Sequence, residues 1–207
     1  MDQKTLHILE LVRKLYQRYG IKSVTMDDVA SRIGISKKTL YGHFKDKEDL
    51  VRQVLLLEEN SRCSFLASIE QRNLNAVEEL FEVYKMLQTT FREYNPSMDY
   101  DVRKYYPDLF TKLREMNRKR MFESMHRNLL KGKKEGLFRK DLNAKTIARL
   151  HVFRTESLLS NNMFTLKELT SFKMFHEVFI YHLHGILSEK GRIFFEQNFR
   201  KFKSTLP

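Results

Sequence analysis

Residues Thr25 to Val51 read TMDDVASRIGISKKTLYGHFKDKEDLV and hold two short helix patterns with a glycine between them. Thr25 followed three residues later by Asp28 is a capping-box-like start. Met26, Val29, Ala30 and Ile33 then give one narrow apolar face that stops at Gly34. Ser36 is a cap for the next helix, whose inward positions Leu40 and Phe44 are spaced by four. Asp46 with Asp49 opens a longer one that runs to about Ser68. Two short helices joined by a tight glycine-containing turn form a helix-turn-helix.

Lys37 and Lys38 stand in the first turn of the second short helix, where the positive end of the helix dipole makes a cation unfavourable by roughly a few tenths of a kcal/mol. A helix-turn-helix sets the N-terminal part of its second helix against base edges in the major groove, so an outside polyanion compensates that cost. With Leu40 and Phe44 turned inward, Lys37, Lys38, Thr39, Tyr41 and His43 form the expected reading surface, behind Ser36, which opens the helix. Thr39 suits a thymine methyl or a base edge, Tyr41 can donate its hydroxyl to a phosphate, and Gly42 lets the backbone approach closely. Lys47, again at a helix start, repeats the logic.

Working outward, Leu6, Leu9, Val12, Tyr16 and Tyr19 suggest one face of a first helix over 5–19, ended by Gly20. Beyond residue 70, apolar spacing predicts helices near 75–94, 99–106, 108–133, 144–160, 169–187 and 189–203. Three prolines and seven glycines in 207 residues leave little room for strands and turns, and the fold class expected is all-α. The expected division is a helix-turn-helix DNA-binding domain over 1–50 and a helical domain over 51–207.

The formal net charge of +12 favours a polyanionic partner, nucleic acid or anionic lipid. Residues 1–50 hold 10 Lys/Arg against 7 Asp/Glu, so that excess lies mostly elsewhere. Part of it is the segment Lys112–Lys140, read as a solvated helix face around Leu113, Met116, Met121, Met125 and Leu129. The one cysteine, Cys63, excludes an intrachain disulfide and is read as a small core residue. His176, His182 and His184 have the wrong helical spacing for a shared metal. No phosphate-cradling, metalloprotease or nucleophile-elbow motif is present, so no catalysis, cofactor or metal is expected. No secretory signal and no membrane-length apolar run is seen, which suggests a soluble cytoplasmic protein with no membrane partner. Ile193, Phe194, Phe195, Phe199 and Phe202 on the last helix are expected to pack on the domain.

Thr25-to-Val51, with its Gly34-Ile35-Ser36, Thr39-Leu40-Tyr41, His43-Phe44 and Lys45-to-Leu50 features, resembles the DNA-binding domain of the TetR family of bacterial transcriptional regulators. The resemblance is sharp over about 5–55, and Glu135 to Leu142 looks like the family's turn before its eighth helix. It implies phosphate contacts at Thr25, Tyr41 and Lys47, base-reading positions at Lys37, Lys38 and Thr39, and a matching His43. It also implies a homodimer, a double-stranded operator, and repression relieved by a small-molecule effector in the C-terminal domain. On the elements that line such a pocket stand Phe91, Tyr105, Met121, Met125, His151 and Arg154, where Arg154 either orients the effector or pairs with Glu156 or Glu177. Phe172, Phe175, Phe179, Leu183 and Ile186 form a stripe suited to a dimer interface or to intrachain core. The alternatives are a regulator without a small-molecule ligand, constitutive or controlled by a partner protein, and a basic ligand- or membrane-surface-binding helical protein.

Overall fold

The computed structural model describes residues 1–92, 96–160, 164, 165, 168 and 171–204, with the side chains of 91, 92, 96, 159, 160, 172 and 199–204 outside the description. Among the described residues there are ten helices and a single isolated bridge, Phe138 with Leu187. The helices are α1 Gln3–Tyr19, α2 Met26–Ile33, α3 Lys37–His43, α4 Lys47–Glu70, α5 Ala76–Arg92, α6 Pro96–Tyr105, α7 Pro107–Glu135, α8 Ala144–Ser160, α9 Phe172–Ile186 and α10 Glu189–Ser204. The all-α expectation holds.

The chain forms two compact units, one of residues 1–65 with 93–116, the other of 66–92 with 117–207. The border expected after residue 50 falls inside α4, whose first turns belong to the first unit. That unit also takes in α6, whose Met98 and Val102 share a core with Leu9, Val12, Tyr16, Leu40, Phe44 and Val54. On α1 the buried face is Thr5, Ile8, Leu9, Val12 and Tyr16. Leu6 and Tyr19, expected inside, are exposed, because the helix turns its 5–8–12–16 edge inward instead.

Three local devices shape the helix-turn-helix. Thr25 and Asp28 exchange bonds as a full capping box, Thr25 N–H donating to Asp28 Oδ2 at 2.9 Å and Asp28 N–H to Thr25 Oγ1 at 3.1 Å. Gly34, at φ 72°, closes α2 with Ile35 N–H on the Ala30 carbonyl at 3.0 Å and its own N–H on Ser31, a left-handed cap that a side chain would strain. Ser36 Oγ accepts the Thr39 N–H at 3.0 Å and starts α3.

In the second unit Phe81 of α5 stacks on Phe195 of α10 at 5.8 Å between ring centroids. Tyr84 stacks on Phe175 at 4.9 Å, and Ser188 N–H and Arg139 N–H close the bridge on Leu137 and Ile186 carbonyls. Phe195 is therefore core, as expected, while Ile193 is exposed. Cys63 is exposed rather than buried, because α4 turns Phe65, Leu66 and Ile69 inward at that level.

The α1–α2 loop is tied to α6 by Asp101, which is buried and accepts the Lys22 N–H at 2.7 Å. Asp101→Ala is expected to destabilise the chain by about 1.5–3 kcal/mol, as the Lys22 N–H loses its charged, buried acceptor. Asp101→Asn retains an acceptor oxygen and loses less. Amide exchange at Lys22 checks this, since only the alanine variant should expose it.

Candidate nucleic-acid interface

α3 is short, so its two anchors decide its roll. Leu40 is wholly buried and Phe44 nearly so, which leaves Lys37, Lys38, Tyr41 and Gly42 exposed and Thr39 and His43 half-buried. The expected reading surface is thus brought together on one outer face, with two reassignments within it.

His43 is held from inside. Thr5 Oγ1 lies 2.7 Å from Asp2 Oδ2 and 2.7 Å from His43 Nδ1. Asp2 is kept ionised, its carboxyl lowered to about 2 chiefly by the hydrogen bonds from Thr5. The single Thr5 proton therefore goes to Asp2, and His43 Nδ1–H donates to the Thr5 oxygen, which leaves Nε2 as the nitrogen for any outside partner. His43 is an oriented side chain rather than a free reader, and Asp2 and Thr5 join the site unannounced by any motif.

Lys37 is the second reassignment. Its Nζ sits 2.6 Å from Asp27 Oδ2 of α2, both side chains well exposed, so the cation is answered within the chain. Lys38 has no such neighbour among the described residues. Ser36 and Thr39 bond to each other at 2.8 Å, and Thr25 spends its proton on Asp28 Oδ2 at 2.6 Å, so the hydroxyls of Thr25 and Ser36 serve the caps first. Asp28 stays ionised to lower pH than usual because the Thr25 hydroxyl and N–H bond to it.

Lys47 is half-buried at the start of α4, which Asp46 and Asp49 cap, and its Nζ donates to the Lys22 carbonyl at 3.3 Å. Burial lowers its pKa, partly opposed by Asp101 and Asp28. Lys22 is thus held twice, its N–H by Asp101 and its carbonyl by Lys47. Around the same loop Arg32 lies 4.5 Å and Arg18 5.1 Å from the Tyr19 ring centroid, and Lys22 and Lys104 lie 5.3 and 5.5 Å from that of Tyr105. Arg32 with Tyr19 and Lys22 with Tyr105 join different elements, and no spacing along the chain announces them.

Tyr105, expected in an effector pocket, belongs to the first unit, is exposed, and is lowered in pKa mainly by the Lys22 hydrogen bond. Met121, Met125, His151 and Arg154 all lie in the second unit, with Met125 buried and the others half-buried. The Phe91 side chain lies outside the described residues, as does that of Phe172. Glu156, offered as a partner for Arg154, is engaged by Arg118 Nε at 3.0 Å, and among the described residues Glu177 makes no ion pair with Arg154. Of the stripe offered for a dimer interface or intrachain core, Leu183 is 0% exposed and Ile186 2%, while the half-buried Phe175 and Phe179 pack on Tyr84 and Phe81. Among the described side chains of α8 and α9, the exposed large apolar ones are Leu150 (56%), Phe153 (67%) and Tyr181 (78%).

The basic stretch 112–140 is partly neutralised in place. Arg118 meets Glu156, Arg127 meets Glu70, Lys131 meets Glu79 and Arg139 meets Asp141. That agrees with a solvated face. No helix among the described residues is long and apolar enough to cross a membrane.

Comparison with known proteins places this arrangement. Residues 8–54 match the family described as "Bacterial regulatory proteins, tetR family". The helix-turn-helix transcriptional regulator AcrR of Shigella flexneri is 33% identical over 55 residues, 27% of this chain and 26% of that protein. A helix-turn-helix transcriptional regulator of Staphylococcus aureus (strain USA300) is 42% identical over 48 residues, 23% of this chain and 26% of that protein. The match thus spans about a quarter of the length of these curated relatives. Beyond it the fold itself is shared: a transcriptional regulator from Cytophaga hutchinsonii superposes with TM-score 0.73 at 24% identity over 90% of this chain and 100% of the other. Residues 8–54 thus match the tetR-family domain, and over most of the chain the fold is that of the solved regulator.

Gly42 sits in the last turn of α3 at ordinary helical φ with open space where a Cβ would stand. Gly42→Ala is expected to stabilise the fold by about 0.5–1 kcal/mol, while a methyl at the outer face weakens duplex binding. Thermal denaturation and a duplex titration should move in opposite directions.

Proposed function

We propose that the protein is a homodimeric DNA-binding regulator of transcription, a repressor released from a pseudo-palindromic operator by a small-molecule effector. Residues 1–50 bind DNA; residues 51–207 bind the effector and dimerise. The observation that carries this reading is the outer face of α3 in a segment that matches the tetR family, with Lys38, Tyr41 and Gly42 exposed over a buried Leu40–Phe44 anchor.

The two copies of α3 enter successive major grooves roughly 34–36 Å apart. Lys38 and Thr39 face base edges and Tyr41 and His43 Nε2 face phosphate. Lys37 exchanges Asp27 for phosphate, and Lys47 steadies the loop that carries Thr25 as well as adding charge. The dimer surface is the outer face of α8 and α9, where Leu150, Phe153 and Tyr181 leave apolar area in solvent. An effector site in the second unit is supported by the grouping there of Met121, Met125, His151 and Arg154, and by the fold shared with regulators of this type.

Salt dependence tests the interface. Duplex affinity should fall steeply with salt, with a log–log slope of about −0.9 per neutralised phosphate. Lys38→Ala should flatten the slope by that amount for each phosphate left unneutralised. Lys37→Ala should flatten it less, because Asp27 already claims that charge. A slope near zero in the unaltered protein sinks the reading. Duplexes selected from a random pool should share two half-sites about one helical turn apart.

A further inference from the structure

Between α8 and α9 the second unit assembles three nitrogen-bearing side chains without a carboxylate. The His151 and His182 rings lie 5.0 Å apart at 48°, and Arg154 Nη2 is 3.3 Å from His151 Nδ1. A guanidinium only donates, so His151 Nδ1 is the acceptor, and that ring is neutral with its proton on Nε2. Burial, reinforced by Arg154, lowers His151 to about 4, and burial, reinforced by the neighbouring His151 and Arg154, lowers His182 to about 3.

Arg154 therefore carries the one positive charge of the cluster. Its pKa is itself lowered by burial, opposed only by the exposed Tyr181. Arg154 Nε and His182 Nε2 are shut off from solvent and have no hydrogen-bond partner among the described residues. A half-buried guanidinium whose Nε is shut off from solvent, with no counter-ion among the described residues and an unused donor, is an unfavourable arrangement for a chain to keep on structural grounds alone.

Resting on the effector reading above and naming its ligand class, we propose that Arg154, His151 and His182 form a subsite for the carboxylate of a small organic acid. One carboxylate supplies the one missing negative charge, and its planar pair of oxygens fits the guanidinium fork. A phosphate dianion leaves an excess negative charge in the same screened place, which makes it the poorer ligand.

The test uses the full chain with octanoate and benzoate as probes, octanamide and benzamide as uncharged counterparts, and inorganic phosphate. The two acids are expected to raise the melting temperature and weaken duplex binding, while the amides and phosphate do neither. Arg154→Met and His182→Gln should weaken acid binding at least about tenfold, the loss of one charge-assisted bond. Without ligand, Arg154→Met should melt no lower than the unaltered chain. A fall of roughly 2–4 °C or more marks a structural arginine and overturns the proposal. Sedimentation separates a further role, because dissociation of the dimer by Arg154→Met means that a second copy answers the charge, which also overturns it. Equal response to acids and amides, or no response to the acids, refutes the carboxylate subsite while salt-dependent duplex binding leaves the regulator reading standing. Absence of duplex binding in the unaltered protein refutes that reading separately.

Discussion

The burial of Leu40 and Phe44 is the constraint on which the first unit depends. α3 spans seven residues, Lys37–His43, and two apolar anchors four apart fix its rotation because each residue advances about 100° around the axis. Once those side chains meet α1 and α2, Lys38 and Tyr41 have nowhere to go but outward. The left-handed cap at Gly34 sets the angle at which α3 leaves α2, and the Asp2–Thr5–His43 chain of hydrogen bonds holds its far end.

Electrostatics then distinguishes cations that look alike in one dimension. Lys37 has Asp27, Lys47 has a carbonyl and a half-buried setting, and Lys38 alone of the three stands without a described partner. The same distinction runs through the second unit, where Arg118, Arg127, Lys131 and Arg139 meet carboxylates and Arg154 does not. An unanswered charge in solvent is inexpensive, whereas a screened one is not. Lys38 and Arg154 therefore differ in setting: the first stands in solvent, the second is half-buried with its Nε shut off from it.

Much of the helix-turn-helix is legible in the sequence alone. Caps, the Gly34 stop and the Leu40–Phe44 spacing are local signals, because each acts within a turn or two of chain. The failures are those of position around an axis and between elements. Leu6 and Tyr19 satisfy a helical stripe as well as Ile8 does, and only the neighbours of α1 choose among them. Phe175, Phe179, Leu183 and Ile186 form a good apolar face, but nothing in their spacing says that Tyr84 and Phe81 of α5 meet its two phenylalanines. Cys63 is exposed because of how α4 is rotated, a property its composition does not carry.

By itself the sequence determined the all-α class, the helix borders to within a few residues and the identity of the cationic outer face, since hydrogen bonding and dipole effects at helix ends are short-ranged and written in adjacent residues. Only the tertiary structure decided that α6 joins the first unit through Met98, Val102 and Asp101, that Lys37 is answered by Asp27, and that Arg154 shares its surroundings with two neutral histidines. Those outcomes depend on approaches between residues far apart in the chain, whose energies come from burial and charge separation in space rather than from order along the backbone.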